Sequence, residues 1–303
     1  MIADTYSDSD DESDINSDID TAGYIVDCHT HVVSPDTSAY PQQAARGARM
    51  ANGNWWSGRD ASVEAMIEAM DLAGVDGAML VQAVGPYGED NRYLADALAS
   101  PEIDRERFCG VAVVDPLLPE VDARVEHCGE LGMRGLRVFH IATAAHRPEW
   151  LDGPPGDNLI EAATGAELCL SVCIQPNDLH RLETQLERRP ELPVALDHAA
   201  FVDLGQPESD EARSLLAMSR FPNLSLKLSP TLMEMSTGEP TRLISAMIDH
   251  FGSERIMWGT DWPQHQAESY PALVAQTKAW FASFDEETQA NILGNNTSRF
   301  YRW

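Results

Sequence analysis

Short apolar runs alternate with amphipathic stretches along almost the whole chain, and no other feature of the sequence limits the fold as much. The runs are "YIVDC" (24–28), "GAMLVQ" (77–82), "FCGVAVVD" (108–115), "RGLRVF" (134–139), "LCLSVCIQ" (168–175), "PVALDH" (193–198), "NLSLKLS" (223–229) and "RIMWGTD" (255–261). Between them lie helical patterns such as "SVEAMIEAMDLAG" (62–74), "EVDARVEHCGELG" (120–132), "DLHRLETQLERRP" (178–190) and "TRLISAMIDHFG" (241–252). Gly74, Gly132 and Gly252 fall where a left-handed residue would end each helix. Strands that are apolar nearly throughout suit a parallel sheet covered on both faces. Eight such strands joined by helices predict an α/β fold, a (β/α)8 TIM-type barrel over residues 23–303. A doubly wound open sheet is the competing architecture, but no glycine-rich phosphate loop follows any of the runs.

Residues 1–22 are rich in Ser and Asp and predict a disordered acidic tail rather than a targeting segment. The whole chain of 303 residues carries 49 acids against 21 bases, a formal net charge of -28. Eight of those acids and no base lie in residues 1–20, so the remainder still holds -20. Such a surface repels nucleic acid and anionic membrane, and it suits a protein kept soluble in high salt. No run of ~18 apolar residues is present to span a membrane. The five cysteines (Cys28, Cys109, Cys128, Cys169, Cys173) include no C-x-x-C pair. Free buried thiols in a reducing cytoplasm are the expectation.

In a barrel of this kind, the C-terminal ends of the strands converge on one pocket. The first run continues as "DCHTHVVSP", so strict alternation puts His29 and His31 on one face and Cys28 and Thr30 on the other. A His-x-His pair alone is equally well a strand cap beside a solvent-facing ring. The remaining strand ends add Arg137 and His140 on the fourth, Gln175 on the fifth, and Asp197 and His198 on the sixth. The seventh gives Lys227 and Ser229, and the eighth gives Asp261. Three histidines and an aspartate from three strand ends form a donor set suited to one zinc or manganese ion. Lys227 is a lone cation among apolar neighbours, and burying it without a partner would be costly. Tyr40, Trp55 and Trp56 lie in a long stretch after the first strand, where barrels place function, and His265 falls just after "WPQ" near the mouth.

The segments "DCHTHVVSPDTSAYP", "GLRVF", "ALDHAAF", "NLSLKLS", "MWGTDWPQ" and "ILGNNTSRFY" together resemble the amidohydrolase superfamily. The likeness is to its amidohydrolase-related (amidohydrolase 2) branch, nearest the lactonases of pyrone dicarboxylates and sugar lactones. The resemblance implies that His29, His31, His198 and Asp261 are the site residues, with Asp261 the general base toward water. Dinuclear relatives bridge two metals with a carboxylated lysine on the fourth strand. That strand has none here, and Lys227 and Lys278 are the only lysines in the chain. One divalent metal, or catalysis without metal, is therefore implied. The expected activity is opening of a lactone or related cyclic ester, with nonoxidative decarboxylation of a carboxylic acid as the alternative on the same site. The expected partner is a small carboxylate-bearing substrate, met by Arg137, Gln175, Lys227, Tyr40, His140 and either Arg46 or Arg49. Self-association is left open.

Overall fold

A computed structural model describes residues 23–42, 55–57, 59–139, 151–265 and 268–303. The acidic segment 1–22 and the candidates Arg46, Arg49 and His140 lie outside the described residues. Eight parallel strands form one sheet in sequence order: β1 (Val26–Thr30), β2 (Gly77–Val81), β3 (Phe108–Val113), β4 (Met133–Phe139), β5 (Cys169–Cys173), β6 (Val194–Leu196), β7 (Leu224–Leu228) and β8 (Ile256–Trp258). Helices fill the connections, including the four anticipated from periodicity, which run Val63–Ala73, Val121–Glu130, Leu179–Arg188 and Pro240–Phe251. Gly74 adopts φ 66°, and its N–H closes the end of the first of these helices. No described helix is long and apolar enough to cross a membrane.

Alternation along each strand sorts the core into two layers. Leu80, Leu136, Val172, Leu196, Leu226 and Trp258 face the surrounding helices, while Met79, Val81, Cys109, Val111, Cys169, Ala195 and Met257 fill the barrel interior. Tyr301, from the C-terminal helix Asn296–Tyr301, joins the interior layer and lies under Lys227. The five cysteines are free and buried.

Strict alternation fails at the strand that matters most. Cys28, expected opposite His29, lies in the interior layer. The cause is a shift in register with β2 between Asp27 and Thr30, an irregularity that lets successive residues share a face. Asp27 is thereby turned toward the helix Tyr270–Phe281. There its carboxylate accepts from Thr260 N, Thr260 Oγ1 and Tyr270 Oη. Burial pushes the Asp27 carboxyl up to about 6, against the pull of those donors.

The sheet closes into a barrel at the same place. Thr30 pairs with Trp262 in parallel, His31 N donates to Trp262 O at 2.8 Å, and Asp261 N donates to His29 O at 2.8 Å. Gly259 allows this approach, since a Cβ there would stand 2.7 Å from His29 N and 2.8 Å from His29 Cβ. Gly259→Ala should therefore displace β1 and destabilise the fold by about 1–3 kcal/mol, the usual penalty for overpacking. Turnover should drop with it, because His29 is what moves. Melting temperature and turnover both at wild-type values would show that the seam tolerates the methyl.

Candidate active site

The site is built on a buried ion cluster around Asp197, at the end of β6. Its Oδ2 accepts from Arg137 Nε of β4 at 3.0 Å. Its Oδ1 accepts from Ser171 Oγ of β5 at 2.6 Å and lies 3.0 Å from Lys227 Nζ of β7. All four side chains are buried. Burial by itself would raise the Asp197 carboxyl, but Lys227, His29 and Arg137 outweigh it and hold the group well below the ordinary carboxylate range. Conversely, burial would strip Lys227 of its proton, and Asp197 keeps the ammonium charged. The sequence alone shows a lone cation in an apolar strand. The barrel supplies its partner from the neighbouring strand.

His29 stands on top of this cluster, between two cations. Lys227 Nζ is 3.2 Å from its Nδ1 and Arg137 Nη2 is 3.3 Å from its Nε2. Burial, Lys227 and Arg137 push its pKa well below the usual imidazole value, against the pull of Asp197, so the ring is neutral. A neutral imidazole carries one N–H and one lone pair, so it cannot accept from both neighbours. With Nδ1–H aimed at Asp197 Oδ1, 3.5 Å away, Nε2 is free to accept from Arg137. With Nδ1 accepting from Lys227, Nε2–H faces Asp261 Oδ1 at 3.8 Å.

For His31 the tautomer is fixed by its surroundings. Its Nδ1 lies 2.8 Å from the carbonyl oxygen of Val81, which can only accept, so Nδ1 carries the hydrogen. In the neutral ring, Nε2 is then a bare lone pair. It is buried without a hydrogen-bond partner and lies 3.3 Å from Asp261 Oδ1, another acceptor. Two acceptors face each other in a buried site, which calls for a proton or a cation between them. Ligand atoms of His29, His31 and Asp261 all lie within 4.8 Å of one another. Both rings also have an acceptor within reach of Nδ1, the arrangement that orients metal-binding histidines. The trio therefore fits a metal ion. Arg137 works against this fit, because its charge already lies beside His29 Nε2.

Asp261 follows β8 with a positive φ of 58°, which turns its carboxylate across the barrel mouth. Thr231 Oγ1 donates to Oδ2 at 2.6 Å, and Gln264 Nε2 donates to Oδ1 at 3.0 Å. Burial would raise this carboxyl, but attraction to ring protons of the surrounding histidines, those of His198 foremost, overcomes that and keeps it below the ordinary range. His198 Nε2 is 3.9 Å from Asp261 Oδ2, and its Nδ1 is 2.7 Å from Ser229 Oγ. Burial lowers the pKa of His198, so this ring is also neutral. His198 opens a left-handed turn in which φ is 52°, 45°, 54° and 59° over four residues through Phe201. None of these is glycine, and each such residue costs roughly 1–2 kcal/mol. "DHAAF" gives no hint of that strain.

The structure brings together His29, His31, His198 and Asp261 above the Arg137–Asp197–Lys227 cluster. Arg137, read from the sequence as an anion binder, is buried and donates to Asp197 instead. Tyr40 turns its hydroxyl to Asp96 Oδ2 at 2.8 Å, on the helix Arg92–Ala99, away from the histidines. Gln175 is half-buried just after β5, and no described hydrogen bond ties it to them. Trp55 is buried against His31 with ring centroids 5.4 Å apart, and Trp56 packs edge-on to Trp55. Ser171 and Thr231 were missed as site residues, because a lone hydroxyl has no distinguishing pattern in a sequence.

The profile of the family described as Amidohydrolase (Amidohydro_2) matches residues 26–303. L-fucono-1,5-lactonase of Burkholderia ambifaria is 26% identical over 258 residues, which span 80% of this chain and 86% of that protein. Among solved structures, a probable 2-pyrone-4,6-dicarboxylic acid hydrolase of Acinetobacter baumannii, with citric acid bound, superposes with a TM-score of 0.73 at 20% identity. The match covers 92% of this chain and 99% of that one. An amidohydrolase of Burkholderia multivorans with bound zinc superposes with a TM-score of 0.72 at 19% identity, again over 92% and 99%. At these identities the structural likenesses speak to the fold, whereas the profile spans the barrel from β1 to the last residue. The chain belongs to the amidohydrolase family.

Proposed function

We propose that the chain is a hydrolase that opens a lactone by attack of water on the ring carbonyl. The observation that carries this reading is one ionised, buried carboxylate, Asp261, ringed by three buried histidines. A carboxylate so placed takes a proton from water as the oxygen–carbon bond forms. Ser229 donating to Nδ1 of His198 leaves Nε2–H to stabilise the negative charge that builds on the carbonyl oxygen. The proton on Asp261 then passes to the leaving ring oxygen. His29, His31 and Asp261 would hold one zinc or manganese ion, which would supply Lewis acidity at the carbonyl. Burial and the adjacent charges of Lys227 and Arg137 keep His29 neutral, and Asp197 holds the two cations in place. The similarity to a sugar-lactone hydrolase supports a lactone as substrate.

The test is a panel of L-fucono-1,5-lactone, other sugar lactones, 2-pyrone-4,6-dicarboxylate and aromatic carboxylic acids, assayed by acid release and by CO2 release. Metal content of the same preparation is measured by mass spectrometry. Acid release from a lactone is the expected result, and His31→Ala should lower the bound metal. CO2 release from an aromatic acid with no lactone turnover would overturn the reading in favour of a decarboxylase.

A further inference from the structure

Hydrolysis of a neutral lactone near pH 7 yields a hydroxycarboxylate and one proton. The bond accounting is simple. Water loses a proton to Asp261, the ring C–O bond breaks, and the alkoxide takes that proton back. The new carboxylic acid then ionises, and its proton has to leave a pocket in which Asp261 and all three histidines are buried. Oδ1 of Asp261 faces His31 and His29, which are buried, and the amide of Gln264, which does not relay protons. The other oxygen has a different neighbourhood.

Oδ2 is hydrogen-bonded to Thr231 Oγ1 at 2.6 Å, and Thr231 Oγ1 lies 2.9 Å from Nε2 of His265. Nδ1 of His265 is 3.1 Å from Glu234 Oε1. The imidazole is nearly enclosed, at 6% side-chain exposure, while the Glu234 side chain is 68% exposed. Four groups thus form an unbroken chain of short polar contacts from the buried base to solvent. Thr231 and Glu234 lie one turn apart on the helix Pro230–Met235, and His265 follows β8. A hydroxyl and an imidazole each both donate and accept, as proton transfer requires of every intermediate member.

We infer that Thr231, His265 and Glu234 form the proton conduit of the site, an inference that rests on Asp261 being the base. A proton on Oδ2 moves to Thr231 Oγ1 as the Thr231 proton moves to Nε2. The Nδ1 proton of the resulting imidazolium passes to Glu234 and out to water. No electron pair leaves any group for good, and no co-reactant is needed. The starting tautomer returns when the ring, turned toward solvent, gives its Nε2 proton to water and takes one up at Nδ1, with no net transfer. A purely structural His265–Glu234 pair, tying the helix to the loop after β8, would show the same contacts but would not answer to added proton carriers.

The experiment measures kcat, KM and metal content in dilute buffer, on the panel lactone turned over fastest. His265→Gln keeps a polar side chain of similar reach but cannot be protonated and deprotonated in turn. It should lose ~10- to 100-fold in kcat, within the usual range for a proton-transfer group, with KM changed little. Added imidazole should restore its rate in a saturable way. Thr231→Val should lose a similar factor, and Thr231→Ser, which retains the hydroxyl, should keep the rate. Wild-type kcat for His265→Gln, or a loss that imidazole does not relieve, would overturn the conduit. Asp261→Asn separates the two failures: if that variant is active, the base assignment itself is wrong. If it is dead while His265→Gln is unimpaired, the conduit alone fails.

Discussion

Asp261→Asn should reduce kcat by ~1,000-fold or more, with KM shifted only a few-fold. The amide is nearly isosteric, so Thr231 can still bond to its oxygen and the seam bond from residue 261 N to His29 O is untouched. In the proposed reaction, what disappears is the capacity to take a proton from water. The wild-type pH profile should show the same group. Because Asp261 is held below the ordinary carboxylate range, it stays ionised through mildly acidic pH, and the rate should persist below the pH where a solvent-exposed aspartate would titrate. Stopped-time assays from pH 3 to 8, with circular dichroism at each point, separate loss of base from loss of fold. An Asn variant with near-native kcat would remove Asp261 from the chemistry.

The second large effect is on stability. Asp197→Ala leaves two buried cations, Arg137 and Lys227, facing each other without their common carboxylate. Breaking a buried pair by removing one partner typically costs 3–5 kcal/mol. For a domain of this size that is a fall in melting temperature of roughly 6–20 °C. Asp197→Asn, which keeps acceptors for Ser171 and Arg137 but not the charge, should fall between. The pH dependence has a definite sign. A carboxylate whose folded pKa is depressed stabilises the protein above its unfolded pKa of about 3.9, and the benefit is lost as pH falls toward the folded value. Asp27 works the other way, since its folded pKa is raised to about 6. Between about 4 and 6 the folded state holds that proton more tightly, so ionisation of Asp27 costs stability as pH rises through this window. Calorimetric scans of the wild type and both Asp197 variants across pH 3 to 8 would test this. Melting temperatures unchanged by Asp197→Ala would mean that the two cations find other partners.

The strands were legible because burial on both faces forces each one to be apolar nearly throughout, and each of the eight runs starts or ends within a few residues of its strand. Helix starts at Ser62 and ends at Gly74 and Gly252 follow local rules that any sequence displays. The His-x-His pair and the aspartate after "MWGT" stood out because strand ends converge in a barrel. Relations that depend on register did not stand out. Cys28 lies on the face it does because one strand slips against its neighbour, and the pairing of Lys227 with Asp197 spans two strands 30 positions apart. The sequence shows that Lys227 needs a partner and not which one. Tyr40 is the opposite case: an aromatic in the right loop whose hydroxyl answers to Asp96 of a helix that the periodicity did not bring out.

The cluster beneath His29 also divides the protein's charges into two populations that respond to solvent differently. The exposed acids among the described residues can be reached by mobile ions, and their mutual repulsion shrinks as the screening length falls from ~8 Å at physiological ionic strength to ~3 Å at 1 M. Asp197, Asp261, Arg137 and Lys227 sum to zero and are buried in the barrel, where dissolved salt does not penetrate. The field they impose inside the barrel is therefore far less sensitive to salt than the repulsion between exposed acids. Surface acids can accumulate or vanish as the surroundings become saltier or fresher, and the chemistry does not have to be retuned each time.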